Sequence, residues 1–128
     1  MPDPDAGQPP VLDEGVLAEL SASVQGDRSF VIELINAYLA DGPAMVDAID
    51  AAVAAEDATA LVRPAHTLKS SSATVGALRL AATSRELEMA GRSGSVEPGS
   101  SASAAALRAD WESAVAALEA WVAGSEDQ

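Results

Sequence analysis

Apolar residues recur at helical spacing along most of this chain, and no stretch alternates apolar with polar as a half-buried strand would. Val16, Leu17 and Leu20 follow Asp13 and predict a short amphipathic helix. Gly26-Asp27 ends it and caps the next, where Phe30, Leu34, Ala37 and Tyr38 keep an i, i+4, i+7, i+8 stripe. Gly42-Pro43 predicts an interruption, with Pro43 suited to the first position of a new segment. In that segment Met45, Ile49 and Val53 recur every four residues to about Ala55. Asp57 is a natural N-cap for a helix over 58–75, and Gly76 marks a turn. Leu80, Ser84, Leu87 and Gly91 then share one stripe. The stretch 91–101, with three glycines and Pro98, predicts a loop. The last helix is expected over about 102–122, burying Leu107, Trp111, Ala114, Leu118 and Trp121.

Short connections favour antiparallel neighbours. The expected fold is therefore all-α: an up-and-down antiparallel four-helix bundle with a short additional N-terminal helix. Residues 1–10 hold four of the seven prolines and are expected to be disordered, 11–123 to form the bundle, and 124–128 to be a tail.

Composition narrows the function. A chain of 128 residues with 48% hydrophobic content can bury one core, and only 3% aromatics agrees with helices rather than sheets. Seven Lys and Arg stand against 20 Asp and Glu, a net charge of −13, which argues against nucleic acid or an anionic membrane as partner. Without cysteine there is no disulfide, thiolate nucleophile or Cys-ligated metal. No apolar run approaches the roughly 18 residues that span a bilayer. Residues 1–10 carry Asp3 and Asp5 and no basic residue, so they do not read as a signal peptide, and a cytoplasmic location is expected.

His66 is the only histidine. At about 100° per residue, Leu61, Ala65, Leu68, Ser72 and Val75 fall on one stripe facing the core, and His66 points about 140° away. Thr59, Arg63, Ser70, Ala73 and Ala77 share its outer face, and Lys69 stands one turn on. Small neighbours leave room for another protein's backbone. Helix phase alone leaves two readings, an ordinary surface histidine or a working imidazole. One histidine and no cysteine cannot complete the usual zinc ligand set, so no metal site is expected. A Ser-His hydrolase site lacks its strand-turn-helix setting.

The stretch Ala65-His66-Thr67-Leu68-Lys69-Ser70-Ser71-Ser72, followed by Gly76-Ala77 and Leu87-Glu88, closely resembles the signature of histidine-containing phosphotransfer (HPt) domains. The stretch 26–35 resembles that family's second helix, as Leu12-Asp13 with Leu17 and Leu20 resembles its start. The resemblance covers roughly 12–92. It implies a phosphorelay intermediate in two-component signalling. His66 would be phosphorylated by a receiver-domain aspartate and pass the group to another receiver aspartate. It further implies that Lys69 supports phosphoryl charge and that Glu88 accepts from Nδ1 to leave Nε2 free. The alternatives are a solvated Lys69, and a Glu88 that is a surface carboxylate or a partner of Arg92. Ser70, Ala73 and Gly76 would support the site by being small. Ser70 departs from the family's usual glycine, and Pro64, two residues before the histidine, either kinks the helix or tilts the His66 turn.

The implied partners are response-regulator receiver domains, including one carried by a hybrid histidine kinase, with Mg²⁺ held by the receiver and no cofactor on this chain. There is no length for an ATP-binding domain and no phosphate loop, so no kinase activity of its own is expected. A monomer is expected. The competing function is a helical module that binds a receiver or kinase and sequesters it, with His66 dispensable. Docking is expected through an apolar patch near His66. Phe30, Leu34 and Ala37 fill one stripe of the second helix while Val31, Ile35 and Leu39 lie beside it, more than one core face needs. Val16, Leu17 and Leu20 either cover that surplus or leave it to a partner.

Overall fold

Three aspartates start the first three helices. Asp13 Oδ1 accepts from Gly15 N–H at 2.9 Å, Asp27 from Phe30 N–H at 3.3 Å, and Asp57 from Ala60 N–H at 3.0 Å. Each cap satisfies a backbone donor that the first turn would leave orphaned, worth about 1 kcal/mol. In the computed structural model the helices are α1 (Glu14–Ser23), α2 (Arg28–Ala54), α3 (Ala58–Thr74), α4 (Leu78–Arg92) and α5 (Pro98–Glu126). The structure describes residues 7–94, 96 and 98–126, the side chains of 98–102 and 125–126 excepted, and among these there is no strand. α3 packs against α2 and α4, α5 against α2 and α4, and α1 against α2. Their shared interior holds fully buried Leu17, Ile35, Leu61, Leu80, Leu107 and Leu118, each contributing about 2 kcal/mol through removal from water.

Gly42-Pro43 does not interrupt the second helix, which runs unbroken from Arg28 to Ala54. The physical reason is tertiary. Gly42 is buried against Trp111, and a Cβ at residue 42 would collide with that indole. Trp111 also packs on Tyr38, with ring centroids 5.4 Å apart and tilted by 59°. The glycine is thus a seat for the indole rather than a helix end.

Continuity also corrects the buried stripe of α2. Val31, Ile35, Tyr38, Gly42, Val46 and Ile49 face the core, while Phe30 is 45% exposed, Ala37 is exposed and Leu34 is half-buried. Ile49 and Val53 lie 18 residues, or about five full turns, beyond Val31 and Ile35, so one unbroken helix puts all four on one side.

Three further boundaries differ from expectation. α5 starts at Pro98, whose fixed φ suits a first turn, so 98–101 is helical and the loop before it is shorter than expected. α5 also continues to Glu126, into the expected tail. Pro9 and Pro10 are not free: Arg79 Nε donates to Pro9 O at 3.0 Å and Arg79 N–H to Pro10 O at 2.9 Å. The rest of the lead-in, residues 1–6, lies outside the described residues.

Candidate functional site

α3 carries the candidate histidine. Leu61, Ala65, Leu68 and Ser72 anchor its core side, and Tyr38 Oη and the buried Ser72 Oγ share a hydrogen bond of 2.7 Å. Burial pushes the Tyr38 phenol up to about 12, so it stays protonated. With that side locked, His66 stands on the outer side and is 53% exposed. Pro64 sits inside α3 without ending it and leaves the Ala60 carbonyl without its usual amide donor.

α4 supplies the counterpart. The tight turn at Gly76 returns the chain so that α4 lies along α3, and Glu88 follows Leu87 on the buried side. Glu88 is a carboxylate with only 5% of its side chain exposed. His66 Nδ1 lies 2.9 Å from Glu88 Oε2. Arg92, one turn on along α4, reaches the same oxygen through Nε at 2.9 Å and Nη2 at 2.8 Å. Lys69 Nζ lies 2.6 Å from Oε1 as an ion pair.

Three nitrogen-bearing side chains therefore converge on one buried carboxylate. The Lys69 contact is the chief reason that Glu88 is held down to about 2, against the opposing effect of burial, with Arg92 and His66 adding to it. Glu88 is ionised at neutral pH and can only accept. The proton of a neutral His66 must then sit on Nδ1, and the Nε2 lone pair is left pointing away from the carboxylate. That leaves an oriented imidazole with one free ring nitrogen on an exposed surface.

The family model for the Hpt domain matches residues 33–121, well over half of the chain. The chain belongs to the Hpt family. Its structure is also similar to the crystal structure of histidine-containing phosphotransfer protein B (HptB) from Pseudomonas aeruginosa PAO1. The TM-score is 0.77 at 27% identity, covering 86% of this chain and 92% of that one. No curated protein matches the chain. The match to the Hpt model takes in most of α5, which lies beyond the stretch 12–92 that the sequence resemblance covers.

Within this Hpt domain the expected site residues separate. His66, Lys69 and Glu88 come together. Ser70 and Ala73 are exposed one and two turns past the histidine on the same face, as small residues that leave the approach open. Gly76 is not brought to the imidazole. It is buried at the α3–α4 turn, about 15 Å along the helix from His66. There it takes φ +81°, accepts from Asp13 N–H at 2.8 Å, and leaves room for Asp13 O where a Cβ would come within 2.6 Å. Ala77, expected on the outer face, is fully buried because α3 ends at Thr74.

Arg92 was expected to pair with Glu88 only in place of the His66 contact, and the structure shows both contacts on the same oxygen. Its spacing of four from Glu88 on one helix was the available signal. Among the described residues no cluster of three acidic or histidine side chains could hold a metal ion, and no helix is long and apolar enough to cross a membrane. On the α2 side of His66, a groove of about 540 Å³ lined by Met45, Ala48, Ala52, Pro64 and Thr67 runs between α2 and α3.

Proposed function

We propose that this Hpt domain is a phosphorelay intermediate that carries a phosphoryl group on His66 between receiver-domain aspartates. The observation that carries the reading is the pairing of an exposed imidazole with a buried, ionised Glu88 at Nδ1. In the forward step the Nε2 lone pair attacks phosphorus of the aspartyl phosphate. The N–P bond forms as the P–O bond to the aspartate breaks, and the aspartate leaves as carboxylate with the bonding electrons. Nδ1 keeps its proton, so positive charge develops on the ring and Glu88 stabilises it. Return transfer to a second receiver reverses each change. Little covalent assistance is needed beyond alignment and charge stabilisation, and Lys69 lies one turn from the imidazole to supply charge.

Mg²⁺ belongs to the receiver in this scheme, and no ATP-dependent step is assigned to the chain. α2 to α5 serve as an up-and-down four-helix frame with α1 added at one end, working as a monomer in the cytoplasm. The receiver docks over the His66 face. Side chains available to it beside the core are Phe30, Leu34 and Leu39 rather than Val31 and Ile35, together with the groove beside Thr67.

The test is a chase of radiolabel from a phosphorylated receiver onto wild-type chain and His66→Gln. Acid-labile, alkali-stable label on wild type and none on the variant is the expected result. The variant's melting curve should be unchanged, since exposed substitutions alter stability by about 0.5 kcal/mol or less. Binding without label on wild type would favour a sequestering module instead.

A further inference from the structure

Glu88 Oε2 is shared. The oxygen that accepts from His66 Nδ1 also takes two nitrogens of Arg92, whereas Lys69 meets only Oε1, through one flexible ammonium. The cations paired with Glu88 are Lys69 from α3 and Arg92 from α4, and Arg63 stands exposed one turn before His66 on the same face of α3. Among the described residues no ion pair from α2 or α5 reaches either. The two cations therefore stand differently. Lys69 has one contact, on Oε1, while Arg92 brings two nitrogens to Oε2 on the side of the imidazole.

We propose that Arg92 is a positioning residue for phosphoryl transfer: it holds the Glu88 carboxylate at His66 Nδ1 and offsets its charge, so that the ring presents Nε2 outward. This deepens the phosphotransfer reading and rests on it. The physical reason is competition. A bare buried carboxylate at Nδ1 would favour the imidazolium, which has no lone pair on Nε2 to attack phosphorus. A cation on the same oxygen weakens that pull without removing the acceptor. When an incoming phosphoryl group draws Lys69 away, Arg92 remains to hold Glu88 in place.

His66 being the only histidine, a chain labelled with ¹⁵N-histidine shows one imidazole, and its titration can be followed directly in the full protein. Arg92→Gln should raise the pH at which the imidazole signal changes, because the carboxylate at Nδ1 then acts without its offsetting cation. Arg92→Lys should restore most of the wild-type value. In a Glu88→Gln background, Arg92→Gln should move that pH less than half as far, because Arg92 acts through the carboxylate. The pH profile of label acceptance by Arg92→Gln should shift to higher pH with the imidazole. Arg92 is 59% exposed at the end of α4, so the variant keeps its fold, and circular dichroism verifies this. An imidazole titration unchanged in Arg92→Gln, or equally changed with and without Glu88, overturns the proposal. The titration uses unphosphorylated protein, so that failure is separate from failure of the carrier reading, which shows as wild-type chain that never takes label.

Discussion

Two charged clusters on this molecule are near mirror images. On the α3–α4 face, one carboxylate, Glu88, gathers His66, Lys69 and Arg92. On the α2–α5 face, one guanidinium, Arg108, gathers Asp47 and Asp50. Contact distances are similar, but the centres differ: Glu88 is 5% exposed, whereas Arg108 is 46% exposed with Asp47 still more open to water. Burial makes the difference. Water competes for every group in the Arg108 cluster, so its ion pairs add little to stability. Glu88 has lost its water and depends on its partners, which makes it an acceptor of defined direction.

Breaking the buried centre should have the largest effect. Glu88→Ala should slow phosphoryl acceptance and lower stability by about 1–3 kcal/mol, the range for uncoupling a buried hydrogen-bonded group. Chemical denaturation and label transfer measure the two effects, and a variant matching wild type in both would place Glu88 outside the working site. Lys69→Ala comes next. It should slow acceptance by about tenfold, about 1.4 kcal/mol of transition-state stabilisation, without abolishing it. An unchanged single-turnover rate would make Lys69 only a counter-ion of Glu88.

Acid sharpens the contrast further. The Glu88 carboxyl titrates near 2 in the fold against an ordinary 4.5. Its folded value is depressed, so its stabilisation is complete above about 4.5 and is lost as pH falls through about 2. Denaturation between pH 5 and pH 2 should show this loss in wild type, and Glu88→Gln should flatten that part of the curve. The smallest effect is expected at the exposed cluster. Arg108→Ala should leave the melting temperature and transfer rate at wild-type values, and a clear drop in either would mean that exposure does not govern these ion pairs.

Much of the site was legible from residue spacing. Phase along α3 put Leu61, Ala65, Leu68 and Ser72 inward and His66 outward, because a single regular helix preserves angle. Aspartates at 13, 27 and 57 marked helix starts because capping is local chemistry. The HPt-like stretch around His66 pointed to the family that the Hpt model then matched.

What the sequence could not decide depends on partners distant in the chain. Gly42-Pro43 carries a local preference to break, and α2 runs through it because Trp111, from α5, needs the space that a glycine leaves. Val31 and Ile35, rather than Phe30 and Leu34, became core because continuity through that point set the phase of the whole helix. Gly76 was read as a turn, but that the turn must also admit Asp13 O shows only in the fold. The burial of Glu88 and the convergence of Lys69 and Arg92 on it appeared only when α4 folded back along α3. Periodicity reports which way a side chain points from its own helix, because that angle is local. Burial, and the electrostatics that follow from it, depend on what another helix places opposite.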